Sequence, residues 1–182
     1  MTDKIKVGLI FGGNSSEYEV SIMSAHNIYE EIDTNKFDVY PMWITNDGYL
    51  ADDADSRKVL DNPQMEVANP HKVANISNII ELKDRPEIDV FFPIVHGNLG
   101  EDGCLQGLFR VLDKPFVGDD VLAAAVTMDK EMTKILAQRA GVPVAKWIAV
   151  KRFEYNDPDN EKLDYEYVAS QLGSDLFVKP SN

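Results

Sequence analysis

A single cysteine, Cys104, stands among the 182 residues. No intramolecular disulfide can form, which suits a reducing compartment. The expectation for that thiol is a small, buried, apolar side chain. No apolar run approaches the ~18 residues of a transmembrane helix. The run Val7–Phe11 is too short for the apolar centre of a secretory signal, and Gly12-Gly13 follows it at once. The expected location is therefore cytoplasmic. Basic residues are scarce, with 18 Lys plus Arg against 31 Asp plus Glu and a net charge of −13. Such a surface repels phosphate backbones and anionic headgroups, which argues against nucleic-acid and membrane partners. There is no internal repeat, no low-complexity tract and no Gly-x-Gly-x-x-Gly pattern, so no dinucleotide site is indicated.

What is present is a globular composition, 44% hydrophobic, enough for a sizeable core. Lys4–Phe11 reads as a strand buried on both faces, ending in Gly12-Gly13. Ile22, Ala25, Tyr29 and Ile32 then recur at three- and four-residue steps, one apolar helix stripe. Phe37–Thr45 reads as a second strand closed by the turn Asn46-Asp47-Gly48. Residues 51–80 are rich in Asp, Asn and Pro without a period, so loops and short helices are expected. Ile88–Val95 is another buried strand, Cys104–Leu112 a helix with Leu105, Leu108, Phe109 and Leu112 on one face, and Pro115–Gly118 a short strand. This alternation predicts an α/β fold around a Rossmann-like parallel sheet.

A second unit is expected from residue 119, dividing the chain into 1–118 and 119–182. Met128–Ala140 reads as a helix with Met132, Ile135 and Leu136 on its apolar side, stopped by Gly141 and Pro143. Strands are expected at Lys146–Val150 and Asp175–Lys179, a loop at Asn156–Asn160 and a helix at Tyr165–Leu172. Two strands and two helices make a small core for a free-standing domain. A strand running into Pro180-Ser181-Asn182 reads as the middle of a domain.

Three places could carry chemistry. The segment 12–21 turns from strand to helix, where two glycines admit a ligand and free N–H groups face an anion. Glu17 there either caps the helix or stabilises its dipole, or it binds an ammonium group. The segment 96–107 follows the strand 88–95 and should open on the same sheet edge. Its glycines allow close backbone approach, Asp102 suits a helix cap, and His96 joins a buried strand to a glycine-rich loop. The third place is a pair of lysines. Lys130 starts a helix, and Lys179 closes an apolar strand where phosphate is a natural partner.

Taken together, HGNLGEDGCLQG at 96–107, FGGNSSEYEVS at 11–21, GDDVLAAAVTMDK at 118–130 and LFVKPSN at 176–182 resemble the D-alanine–D-alanine ligase family of ATP-grasp enzymes. The likeness runs over essentially the whole chain, and residues 96–107 match the family's signature at every signature position. Many members carry His or Arg where this chain has Tyr18.

The resemblance implies an enzyme that joins two D-alanines at the expense of ATP, for peptidoglycan precursors. ATP phosphorylates the carboxylate of the first D-alanine, and the amine of the second attacks the acylphosphate. By resemblance Glu17 receives the first ammonium group, Val20 touches its methyl, His96 orients it, and Lys130 and Lys179 hold ATP phosphates. It further implies Mg²⁺ with ATP, no metal ligand within this chain, a homodimer, and a second unit that is the first, incomplete part of an ATP-grasp domain. The chain alone is therefore expected to be inactive. A D-alanine–D-lactate ligase and a non-catalytic dimerising binding module are the alternatives; a glutathione synthetase-like ligase is disfavoured by residues 96–107.

Overall fold

A computed structural model describes residues 3–65, 67–75, 87–157 and 160–182. The chain divides between Ala125 and Val126 into two compact units.

The first unit is built on a five-stranded sheet. Its strands are β1 (Ile5–Gly12), β2 (Phe37–Ile44), β3 (Tyr49–Ala51), β4 (Lys72–Asn75) and β5 (Val90–Pro93), in the order β4-β3-β2-β1-β5. β2, β1 and β5 run parallel, while β3 and β4 add antiparallel at one edge. The helices are α1 (Tyr18–Glu31), α2 (Asp53–Asp61) and α3 (Cys104–Val111). The central strand β1 alternates its side chains between two cores, as the two-residue period of a strand requires. Leu9 and Phe11 join Ile22 and Ala25 of α1 and Val59 and Leu60 of α2 on one face. Ile10 joins Phe91, Leu105 and Phe109 on the other. The Phe91 and Phe109 rings stack with centroids 5.1 Å apart, tying β5 to α3. Both helix stripes expected from the sequence in this unit face these cores, with Tyr29 and the C-cap residue Ile32 of α1, and Leu108 and the C-cap residue Leu112 of α3, at their margins. Pro115–Gly118 contributes a single parallel bridge, Phe116 beside Phe91.

Two expectations for this unit are corrected here. Residues 51–80 hold, besides the short helix α2, the strand β4; residues 66 and 76–80 of that stretch lie outside the described residues. Cys104 is exposed, because it opens α3 while Leu105, Gln106 and Phe109 form the buried face. The Asp102 carboxylate and partial burial push its thiol pKa up.

The second unit is helical where it is regular. It contains the end of α4 (Val121–Met128), then α5 (Lys130–Arg139), a 3-10 turn at Glu161–Leu163 and α6 (Tyr165–Leu172). The two strands expected at Lys146–Val150 and Asp175–Lys179 do not form. A strand exists only when a neighbour takes its N–H and C=O groups, and no described residue does so for these segments. Phe177 and Val178 stand almost fully in solvent. The expected apolar side of α5, Met132, Ile135 and Leu136, is likewise exposed. Residues 158 and 159 of the loop expected at Asn156–Asn160 lie outside the described residues.

Candidate functional site

β1 and β5 are adjacent and parallel, so the loops that follow them open side by side at the carboxyl edge of the sheet. Gly12 and Gly13 make the turn after β1 with φ of 88° and 100°, a region that L side chains avoid. A Cβ on Gly12 would run into the Ile44 carbonyl oxygen, and one on Gly13 would lie 2.7 Å from Val95 Cγ1. The turn is held by Ser21 of α1, which is fully buried. Its Oγ accepts from the Gly12 N–H at 2.8 Å and donates to the Ile94 carbonyl at 2.6 Å. One hydroxyl thereby joins the start of α1 to the ends of both strands.

Ser15 makes the next link. Its hydroxyl donates to the His96 carbonyl at 2.9 Å and accepts from the Glu17 N–H at 3.2 Å. Glu17 occupies the N-cap position of α1 but makes no side-chain capping bond, so it does not cap the helix, although its charge still stands at the positive end of the helix dipole. Its Oε2 faces Gly97, 3.1 Å from where a Cβ on that glycine would stand. Gly97 has φ 72° and is buried. Glu17 itself is exposed.

The His96 ring is held on both sides. Nε2 lies 3.2 Å from Ser24 Oγ and Nδ1 lies 3.3 Å from Glu101 Oε1. The second oxygen of Glu101 accepts from the Gly97 N–H at 2.9 Å. A carboxylate at Nδ1 favours the Nδ1–H tautomer, which leaves Nε2 to accept from Ser24. The N-cap of α3 is Gly103, without a side-chain capping bond, and not the expected Asp102. Asp102, one residue earlier, accepts from Leu99 N–H at 2.9 Å and Cys104 N–H at 3.0 Å and so ties the loop to the first residue of the helix. Partial burial opposes ionisation of Asp102, but hydrogen bonds from these two N–H groups, the Cys104 thiol and its own backbone together outweigh it and its pKa is lowered. Gln106 closes the loop from inside, Nε2 donating to the Gly100 carbonyl at 2.9 Å. Val20 is exposed on α1, one turn beyond Glu17.

Lys130 and Lys179 belong to the second unit. Asp129 caps α5, its carboxylate accepting from the Glu131 and Met132 N–H groups at 2.9 and 3.0 Å. Ser181 docks on the same helix end. Its hydroxyl donates to Asp129 at 2.9 Å, and its carbonyl accepts from the Lys130 N–H at 2.8 Å and from Lys130 Nζ at 3.3 Å. Lys130 is half-buried and Lys179 is exposed.

A strand–glycine turn–helix bearing a carboxylate therefore meets a His-Gly loop at one parallel sheet edge. The family model described as D-ala D-ala ligase N-terminus matches residues 6–119. The chain belongs to that family. The D-alanine–D-alanine ligase of Lactobacillus gasseri is 98% identical over all of this chain and 50% of its own length. Among solved structures, the VanG D-Ala:D-Ser ligase of Enterococcus faecalis is similar at 35% identity and TM-score 0.69, over 93% of this chain and 50% of its own. The D-alanine–D-alanine ligase of Coxiella burnetii follows at 32% identity and TM-score 0.71, with the same coverage of both chains. That of Bacillus anthracis, complexed with ATP, is similar at 25% identity and TM-score 0.59, over 84% of this chain and 40% of its own. The chain spans about half the length of the curated relatives it matches.

Within this family frame, three polar residues around His96 escaped the sequence reading: Ser15, Ser24 and Glu101. Ser24 carried a signal, since Glu17, Ser21 and Ser24 recur at four and three residues and so share one face of α1. Ser15 and Glu101 carried none, because their partners lie across two loops that only the fold brings together. No helix of the described residues is long and apolar enough to cross a membrane.

Proposed function

We propose that this chain supplies the first-substrate cradle, and part of the nucleotide site, of an ATP-dependent D-alanine–D-alanine ligase. The observation that carries the proposal is the Glu17 carboxylate facing the His96–Gly97 turn. A zwitterionic amino acid needs an anion for its ammonium group, and Glu17 is exposed and free of a capping role. His96, held between Ser24 and Glu101, orients the first D-alanine near its carboxylate. Val20 meets the methyl group.

The reaction needs the first carboxylate to attack the γ-phosphorus of ATP, releasing ADP, then the second amine to displace phosphate from the acylphosphate and lose a proton as the amide forms. Lys130 and Lys179 would offset phosphate charge during that transfer. The family membership and the ATP-bound Bacillus anthracis ligase support the nucleotide assignment. Among the described residues no three His, Cys, Asp or Glu side chains converge as a metal site. The Mg²⁺ that accompanies ATP in this reading has no assigned ligand in this chain. The reading places the division of labour near residues 118 and 119, with ATP-grasp elements following. It also carries a cytoplasmic homodimer and a dipeptide product destined for peptidoglycan.

The second substrate is read as D-alanine. The likeness to a D-Ala:D-Ser ligase makes D-serine the competitor to test beside D-lactate.

The test fuses residues 1–182 to the remaining half of the Lactobacillus gasseri relative. Phosphate release with D-alanine and Mg-ATP is expected, and Glu17→Ala should lower kcat/KM about hundredfold, the loss typical of an orphaned charge partner. An inactive fusion, or Glu17→Ala activity equal to the parent's, refutes the reading. Competition with D-serine and D-lactate decides the nucleophile.

A further inference from the structure

We propose that Tyr18 is a positioning residue for the first D-alanine, holding Glu17 through a hydrogen bond to Trp43. This rests on the role of Glu17 proposed above. Tyr18 opens α1, one residue after Glu17. Its half-buried ring packs against the core shared by α1, α2 and the sheet. Trp43, near the end of β2, is buried. Its indole Nε1–H donates to the Tyr18 hydroxyl oxygen at 2.9 Å. Its backbone N–H donates to the buried Ser56 Oγ at 3.1 Å.

The same indole braces the other end of the segment. Its Cδ1 lies 3.0 Å from where a Cβ on Gly12 would stand. Trp43 therefore touches both the glycine turn that leaves β1 and the residue that starts α1. Between them runs the six-step stretch from Gly12 to Tyr18 that carries Glu17. With no capping bond of its own, the Glu17 side chain takes its direction from these flanking anchors. Burial is the main cause of the raised Tyr18 pKa. The phenol stays neutral at working pH and keeps its acceptor geometry. An indole N–H has one direction and one hydrogen, so this bond sets an angle as well as a distance.

The test uses the active fusion protein and separates the KM for the first D-alanine from the other constants. Tyr18→Phe keeps the ring and leaves the buried indole N–H unpaired. That KM should rise about tenfold, while kcat and the KM for ATP stay within about twofold. Trp43→Phe should give a similar rise, and the double variant no more than either alone. A Tyr18→Phe KM within about twofold of the parent overturns the proposal. So does a fall in kcat at unchanged KM, or additive effects in the double variant. Loss of the thermal transition in Tyr18→Phe also overturns it, because the bond would then serve folding and not positioning. If Trp43→Phe fails to fold, Tyr18→Phe decides alone. An inactive parent fusion overturns both the ligase reading and this one, whereas an active parent with an insensitive Tyr18→Phe overturns only the role of Tyr18.

Discussion

The Glu17 carboxylate lies against Gly97, its Oε2 3.1 Å from the point a Cβ would occupy on that glycine. The two residues are 80 apart in sequence, and only the parallel pairing of β1 with β5 makes them neighbours.

Gly97→Ala should therefore act twice. The φ of 72° strains any L side chain there, by about 1–2 kcal/mol. The new methyl would also press on Glu17 Oε2 and on Ser15 Cβ, at 3.1 and 3.2 Å. In the fusion protein the first-substrate KM should rise with a modest loss of melting temperature. Gly118→Ala is the control, since φ is 129° but nothing lies within 4 Å. It should show the strain alone, with KM unchanged. Equal KM effects in the two variants would contradict the contact.

Ser21→Ala removes a hydroxyl that serves two backbone groups, the buried Gly12 N–H and the part-buried Ile94 carbonyl. Leaving them unpaired should cost about 2 kcal/mol or more. Chemical denaturation of the chain, followed by the fluorescence of Trp43 with Trp147→Phe as background, should report it. A midpoint unchanged from the Trp147→Phe parent would show that water or a shifted backbone replaces the hydroxyl.

These contacts mark how far the sequence alone reaches. β1, α1, β2 and α3 were legible because each buries a periodic face, Leu9 and Phe11 on one side of β1 and Ile10 on the other. β4 was not, because a four-residue antiparallel edge strand among Asp, Asn and Pro has no pattern to read. The strands expected at Lys146–Val150 and Asp175–Lys179 had the right residues. Residue type supplies only propensity, and pairing supplies the strand. At the candidate site, Glu17 and His96 stood out by position in their motifs. Their spacing from each other, and the Ser15 link between them, follows from strand order and could not be read from either segment.

Acid should loosen the start of α5 through Asp129. The Met132 N–H, then the Ser181 hydroxyl, lower its carboxyl below the ordinary value. The folded pKa lies below the unfolded one, so the stabilisation is complete above the ordinary carboxylate pKa of about 4 and disappears as pH falls through the lowered value. Asp129→Asn should lower thermal stability of the second unit at pH 7, and by less at pH 3. Circular dichroism melts at the two values check the sign. A larger effect at pH 3 than at pH 7 would contradict it.

Glu101 offers the sharpest test of how His96 is oriented. Its two oxygens serve two donors, the Gly97 N–H at 2.9 Å and His96 Nδ1 at 3.3 Å. Gln at this position has the same shape but only one acceptor oxygen. In Glu101→Gln one donor must lose its partner, and the ring is then free to exchange tautomers or to turn away from Ser24. Nitrogen-15 correlation spectra of the imidazole should show the Nδ1–H form in the parent and a mixture in Glu101→Gln. The first-substrate KM of the fusion protein should rise a few-fold in the same variant. A parent ring protonated at Nε2 would mean that Ser24, and not Glu101, sets the tautomer. Ser24→Ala would then be the variant that shifts both the spectrum and the KM.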